Sequence, residues 1–186
     1  MSLHIITGSM YGGKTKEGMK EILACTARPS VWHHGNDVTR RGVQNAGVWV
    51  THDGLTYPST AAVDTTDISV YLARSVHRLH LFVDEVQFFD ASAMHALCST
   101  WKKMVDITLV GLTYRADGER FATMAALLPL ADRVTELRGS CTICGAPAER
   151  SQWLGPAEEP ASDWNRGRVG GVGLYEPRCL AHWTPR

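Results

Sequence analysis

The feature that most narrows the folds open to this chain lies at its N-terminal end. Gly8-Ser9-Met10-Tyr11-Gly12-Gly13-Lys14-Thr15 has the spacing G-x4-G-K-[ST] and follows the short apolar run Leu3-His4-Ile5-Ile6. Such a glycine-rich turn works where a buried strand ends and a helix begins. Its backbone N–H groups turn inward around phosphate oxygens, Lys14 reaches the β- and γ-phosphates, and Thr15 offers its hydroxyl to Mg²⁺. The start of the following helix aims its positive dipole end at the same anion. The motif therefore requires a strand–loop–helix unit. It assigns Gly8, Ser9, Met10, Tyr11, Gly12, Gly13, Lys14 and Thr15 to the phosphates of a nucleotide, with ATP and Mg²⁺ as the expected cofactors.

The pattern downstream suits that requirement. Met19, Ile22, Leu23 and Thr26 recur at helical spacing over 14–27, with Pro29 as the stop. Ser30 to His33 and Gly47 to Thr51 read as strands. Ile68, Leu72 and Val76 share one side of a helix predicted over 67–76. Leu79 to Val83 reads as a strand, and Met94, Leu97, Cys98, Trp101 and Val105 as a helix. Ile107 to Leu112 is a continuous apolar run, as expected of a strand buried on both faces. Phe121 to Leu128 predicts a helix ended by Pro129, and Arg133 to Leu137 a last strand. Strands alternating with helices predict an α/β fold, a parallel sheet flanked by helices. From Gly139 onward Gly, Pro, Cys and Trp rise and helical periodicity disappears. That shift predicts two units: a nucleotide-binding α/β domain over 1–138 and a small C-terminal domain over 139–186.

The strand Leu81-Phe82-Val83 ends in Asp84-Glu85. An acid at the carboxyl end of such a strand holds Mg²⁺, directly or through water, and this is the edge of an open α/β sheet where ligands bind. Neighbouring side chains along a strand point to opposite faces. Asp84 is accordingly read as the magnesium group, with Thr15, and Glu85 as the base that takes the proton from an acceptor hydroxyl.

The C-terminal region carries metal-ligand spacing. Cys141-Thr142-Ile143-Cys144 is C-x2-C, and Cys179-Leu180-Ala181-His182 is C-x2-H, with 34 residues between the pairs. Cys141, Cys144, Cys179 and His182 make a complete tetrahedral set for a structural Zn²⁺. Most of the intervening stretch looks like a loop, which at that length calls for a clip or a function. The remaining two of the five cysteines, Cys25 and Cys98, sit on predicted apolar helix faces and read as packing residues.

Composition removes several function classes. Lys plus Arg and Asp plus Glu are equal at 19 each, without the basic excess of a nucleic-acid-coating protein. No apolar run approaches the roughly 20 residues that span a bilayer, and the N-terminus lacks the pattern of a secretory signal. The expectation is a cytoplasmic protein that binds neither membrane nor nucleic acid.

Taken together, these residues resemble the zinc-containing, P-loop type of thymidine kinase over nearly the whole chain. Gly8 through Thr15 is similar to that family's G-P-M-[FY]-[SA]-G-K-[ST]. Asp84-Glu85-Val86-Gln87-Phe88-Phe89 is similar to its D-E-[AGC]-Q-F-F, the most specific match. Gly111-Leu112, Gly118-Glu119 and Phe121 resemble pieces of its G-L-D-x-D-F-R-G-x-P-F segment, and Val169-Gly170-Gly171 through Tyr175 and Cys179 resembles its lasso loop. The resemblance implies phosphorylation of the 5′-hydroxyl of thymidine, or of deoxyuridine and 5-substituted analogues, by ATP. It also implies a zinc-anchored lasso over the nucleoside and a homotetramer. Carried over by position, Glu85 is the catalytic base. Met10, Phe88, Leu112, Phe121 and Tyr175, with the backbone of Val169, Gly170, Gly171 and Val172, contact the nucleoside. Thr51-His52-Asp53 resembles the family's short [ST]-H-x segment, and Asn36-Asp37-Val38-Thr39-Arg40 loosely resembles its D-x-R. Thr113, Ala116 and Asp117 depart from the pattern, standing where the family usually has Asp, Phe and Arg. The lost aromatic at Ala116 predicts a larger base pocket, and the lost arginine one cation fewer near the phosphates.

Two other readings stay open from the residues alone. One is a P-loop ATPase whose zinc ribbon acts on nucleic acid, which calls for a basic stripe near the ribbon. The other is a non-catalytic zinc-ribbon module, against which stands the full set of Lys14, Thr15, Asp84 and Glu85.

Overall fold

The computed structural model describes residues 1–35, 47–51, 53–75, 78–155 and 173–185. Its centre is a six-stranded, wholly parallel sheet. The strands are β1 (Leu3–Gly8), β2 (Arg28–His34), β5 (Thr60–Ala62), β6 (Leu79–Asp84), β7 (Asp106–Val110) and β8 (Arg133–Leu137), in the order β5-β2-β6-β7-β1-β8. Parallel neighbours need crossovers, and among the described residues four helices cover the sheet: α1 (Lys14–Ala24), α2 (Thr66–Arg74), α3 (Ala91–Trp101) and α4 (Ala122–Leu127). The expected α/β class is the observed one.

Strand alternation divides the core into two faces. Leu79, Leu81 and Val83 of β6 join Leu3, Ile5, Ile107 and Leu109, and α2, α3 and α4 cover them through Ile68, Leu72, Met94, Leu97, Met124 and Leu127. Phe82, one residue out of phase, points the other way with Ile6 and Val110, under Met19 and Ile22 of α1 and the indole of Trp49. Each large apolar side chain buried this way contributes on the order of 1.5–3 kcal/mol. Asp90 caps α3, its carboxylate accepting from the Ala93 N–H at 2.8 Å.

Several local expectations change. The first helix ends at Ala24, not Ala27. Cys25 is already extended, because the chain must turn back to start β2 at Arg28. Pro29 therefore lies inside a strand, tolerated because β5 flanks β2 only at Trp32 to His34 and leaves that side of Pro29 open. Cys98 is fully buried as expected. Cys25 is only half-buried and donates its thiol to the Ile22 carbonyl at the helix end. The strand expected at Gly47 to Thr51 is β3 (Val48–Val50). It does not join the main sheet but forms an antiparallel hairpin with β4 (Thr56–Pro58). β4 and β5 are three-residue, partly polar strands with too little alternation to be seen in the sequence. Val76 and His52 lie outside the described residues.

Beyond β8 the chain builds two small antiparallel pairs, β9 (Gly139–Ser140) with β10 (Pro147–Ala148), and β11 (Arg150–Trp153) with β12 (Tyr175–Arg178). The stretch expected to be mostly loop is thus partly sheet. No described helix is long and apolar enough to cross a membrane.

Candidate active site

Parallel topology brings the carboxyl ends of β1, β6 and β7 to one edge, and that edge carries the motifs. Val83, Leu109 and Ile5 lie at one level across β6, β7 and β1. Asp84 and the start of the glycine-rich loop therefore face each other across a single strand, a span of roughly 10 Å at the usual strand spacing.

The loop's shape follows from its glycines. A Cβ on Gly8 would fall 1.9 Å from the Leu137 carbonyl oxygen, so no other residue fits where β1 and β8 close together. Gly13 adopts a left-handed φ of 83° as it opens α1, and Glu17 N–H closes the first helical bond to its carbonyl at 3.0 Å. Lys14 Nζ donates to the Ser9 carbonyl at 2.7 Å, so the ammonium spans the loop it was expected to serve. The Met10 N–H donates to Ser151 Oγ at 3.0 Å, which ties the loop to β11.

Asp84 is almost wholly buried. One carboxylate oxygen accepts from the Glu85 N–H at 2.8 Å, and the other accepts from the Trp49 indole N–H. Trp49 reaches it by lying on Gly18 of α1, where a Cβ would come within 2.6 Å of the ring. The hairpin that carries Trp49 is fastened to α1 by Lys16, whose ammonium is 2.6 Å from Asp53. That lysine, with the Thr51 hydroxyl, holds the Asp53 carboxyl down at about 2.

Glu85 is separated from Asp84 by a turn, and not by strand alternation as the sequence suggested. Its φ of 53° is left-handed, a conformation rare outside glycine. It starts the 3₁₀ turn Val86–Phe88. Gln87 fixes the carboxylate: Gln87 Nε2 donates to Glu85 Oε2 at 2.6 Å while Gln87 Oε1 accepts from the Leu112 N–H at 3.1 Å. The amide, with a donor and an acceptor end, satisfies both partners. Gly111 makes room, since a Cβ there would sit 2.6 Å from Gln87 Oε1.

Of the expected substrate contacts, Phe88, Leu112 and Phe121 come together at the top of one core face. Phe88 meets Phe121 edge-on at 6.2 Å and His34 at 5.9 Å. Burial lowers the pKa of His34, against the opposing effects of the Val63 backbone and the Glu85 charge. Met10 and Tyr175 belong to a second cluster with Ala116 and Trp153. Val169, Gly170, Gly171 and Val172 lie outside the described residues. The enlarged pocket expected at Ala116 is not a void: the residue is 3% exposed, and the two aromatic rings pack against it. At the other departures, Thr113 pairs its hydroxyl with Thr7 at 2.5 Å, and Asp117 takes an ion pair from Arg115 at 2.5 Å.

Cys141, Cys144, Cys179 and His182 bring their ligand atoms within 4.8 Å of one another. Cys144 and Cys179 sulfurs are 3.7 Å apart, and Cys179 Sγ is 3.3 Å from His182 Nδ1. A tetrahedron with Zn–S of about 2.3 Å has edges of roughly 3.8 Å, so the set fits Zn²⁺. Burial alone would raise the Cys141 thiol. The backbone N–H groups of Cys179, Ile143 and Cys144 and the Cys179 thiol outweigh that and bring it to about 5. Cys144 is pushed up despite the Ala146 N–H, through burial and its sulfur neighbours. The following residues lock the segment onto the 113–121 loop: Arg150 lies 3.8 Å over the Tyr114 ring and 5.7 Å from that of Trp183, and Trp183 packs on Gly118.

Gln87, read with Phe88 as shaping the acceptor site, holds the Glu85 carboxylate; no sequence signal marks the contacts of Trp49, Ser151, Trp153 and the Tyr114–Arg150–Trp183 stack. None has a local signature, because each acts across strands distant in sequence.

A parallel sheet with a phosphate loop at one edge, an acidic strand end beside it and a Cys3His segment docked on the loop defines a P-loop nucleotide-binding protein with an appended Cys3His cluster that fits a metal ion. The thymidine kinase family model matches residues 1–183. The thymidine kinase of Thermococcus kodakarensis is 31% identical over 192 residues, covering 97% of this chain and 92% of that protein. That of Deinococcus deserti is 32% identical over 189 residues, covering 97% and 93%. A solved Thermotoga maritima RuvB Holliday junction branch migration motor overlaps at a TM-score of 0.46 and 17% identity, over 75% of this chain and 39% of that one. The chain belongs to the thymidine kinase family, and it is a kinase.

Proposed function

We propose that this kinase transfers the γ-phosphoryl group of ATP to the 5′-hydroxyl of thymidine, with Glu85 as general base. The observation that carries the reading is the fixed Glu85 carboxylate, held by Gln87 in a left-handed turn directly after Asp84, on the sheet edge that bears the phosphate loop. Gly8 to Thr15 bind the phosphates, and Lys14 places its charge where the transferred group gains negative charge. Thr15 and Asp84 are the groups that would hold Mg²⁺, which would supply positive charge to offset that of the phosphates. Asp84 suits this because two N–H donors orient it. Met10, Phe88, Leu112, Phe121 and Tyr175 enclose the nucleoside, together with Val169, Gly170, Gly171 and Val172. Residues 139–186 act as a zinc-held unit whose Ser151 steadies the loop through Met10. The assembly is a homotetramer.

The nucleic-acid ATPase reading lacks its basic stripe among the described residues. Arg138 pairs with Glu149 at 3.0 Å, Arg178 with Glu176, and Arg150 is stacked between two rings. The test is Glu85→Gln, which keeps shape and removes basicity. With ATP, Mg²⁺ and thymidine, kcat falls by roughly 10²–10⁴ while calorimetry still registers both ligands. A fully active variant rules out the base assignment. A wild-type protein that hydrolyses ATP and ignores nucleosides rules out the substrate.

A further inference from the structure

Ser151 and Trp153 are two apart on β11 and so project from the same face of the strand. Ser151 Oγ accepts from the Met10 N–H at 3.0 Å, which lays that face on the phosphate loop. Trp153 stands directly opposite Tyr175 on β12, with ring centroids 5.0 Å apart and planes at 56°. The two rings, Ala116 and Met10 form a cluster separate from both faces of the main sheet. The indole is 7% exposed and tightly framed. A Cβ on Gly155 would fall 2.1 Å from its Cζ2, so glycine alone lets the chain pass over it. The room that a large side chain at position 116 would need is taken by an aromatic ring arriving from another strand.

We propose that Trp153 is a specificity-determining residue: its indole forms the wall of the base pocket between Met10 and Tyr175 and sets the size of the 5-substituent the enzyme accepts. The inference rests on the nucleoside kinase reading above. An indole locked by a cross-strand partner and a glycine gives a stiff wall that cannot retreat from a larger base. One methylene too many against such an apolar wall costs roughly 10–200-fold in kcat/KM. The pocket is therefore closed by Trp153 and not widened by Ala116.

The test uses the full zinc-loaded chain and a series of deoxyuridines carrying 5-methyl, 5-ethyl and 5-propyl groups. Trp153→Ala should raise the kcat/KM of the 5-propyl compound relative to thymidine by tenfold or more. Ala116→Phe alone should lose activity on all three, because its ring meets the indole. The double variant Ala116→Phe/Trp153→Ala should recover thymidine turnover and the preference for a small 5-substituent. Zinc content and ATP affinity report whether each variant is folded. If Trp153→Ala does not fold, Trp153→Leu replaces it, with a smaller shift in the same direction. Selectivity unchanged in a folded Trp153 variant, or a double variant no better than Ala116→Phe alone, overturns the proposal. A wild-type protein inactive on every nucleoside overturns the kinase-substrate reading instead, and the proposal falls with it.

Discussion

Replacing Trp49 with Phe tests how Asp84 is held. The indole N–H donates to a buried carboxylate oxygen, and the ring packs between Gly18 and the sheet. A hydrogen bond to a charged group contributes about 1.5–3 kcal/mol. Losing the second ring removes roughly 40 Å² of buried apolar surface, about 1 kcal/mol more. The sum, about 3 kcal/mol, is a large share of the ~5–15 kcal/mol that separates folded from unfolded proteins. For a chain of this length it lowers Tm by roughly 6–12 °C. Trp32→Phe is the control. Trp32 is also buried, but its indole donates to a neutral partner, the Ser30 hydroxyl, at 2.8 Å. That variant loses similar area and only about 0.5–1.5 kcal/mol of hydrogen bond. Urea denaturation at neutral pH should therefore find Trp49→Phe less stable than Trp32→Phe by about 1 kcal/mol. Trp49→Phe should also need more Mg²⁺ for half-maximal activity, since Asp84 loses the indole donor that orients it. A Trp49→Phe protein as stable as Trp32→Phe would refute the reasoning.

Two further outcomes are expected. Cys144→Ser, or chelation of the wild type, should strip the metal, release the hold of Ser151 on Met10 and abolish turnover, while far-UV circular dichroism keeps the helical signal of the sheet domain; full activity at zero zinc by metal analysis would contradict this. Burial depresses His34 and His80 below their ordinary 6.5, for His80 against the opposing charges of Asp106 and Glu21 and with the help of His4. The unfolded chain then binds protons first as pH falls, so stability is fully present above pH 6.5 and is lost below it. Urea midpoints at pH 7 and 5.5 should show a smaller drop in His80→Gln than in the wild type, and an equal drop would remove His80 from the account.

Features that depend on neighbours along the chain could be read from its residues. Gly8 to Thr15 could be read because a phosphate loop is a local shape, set by glycines at fixed offsets. The strand Leu79 to Asp84 and the crossover helices could be read because burial on one face imposes a period. Cys141 with Cys144 and Cys179 with His182 could be read because two x2 spacings each place a ligand pair around one ion. Features that depend on strands meeting sideways emerge only once the chain is folded. Glu85 takes its direction from a left-handed turn that Gln87 and the Leu112 N–H hold from across the sheet. Asp84 owes its orientation to Trp49, brought in by a hairpin too short to show a period. Ala116 could be recognised as a departure, but only the pairing of Trp153 with Tyr175 fills the space beside it. A hydrogen bond or ring contact between residues many positions apart leaves no periodicity in either segment, so the chain must fold before such contacts exist.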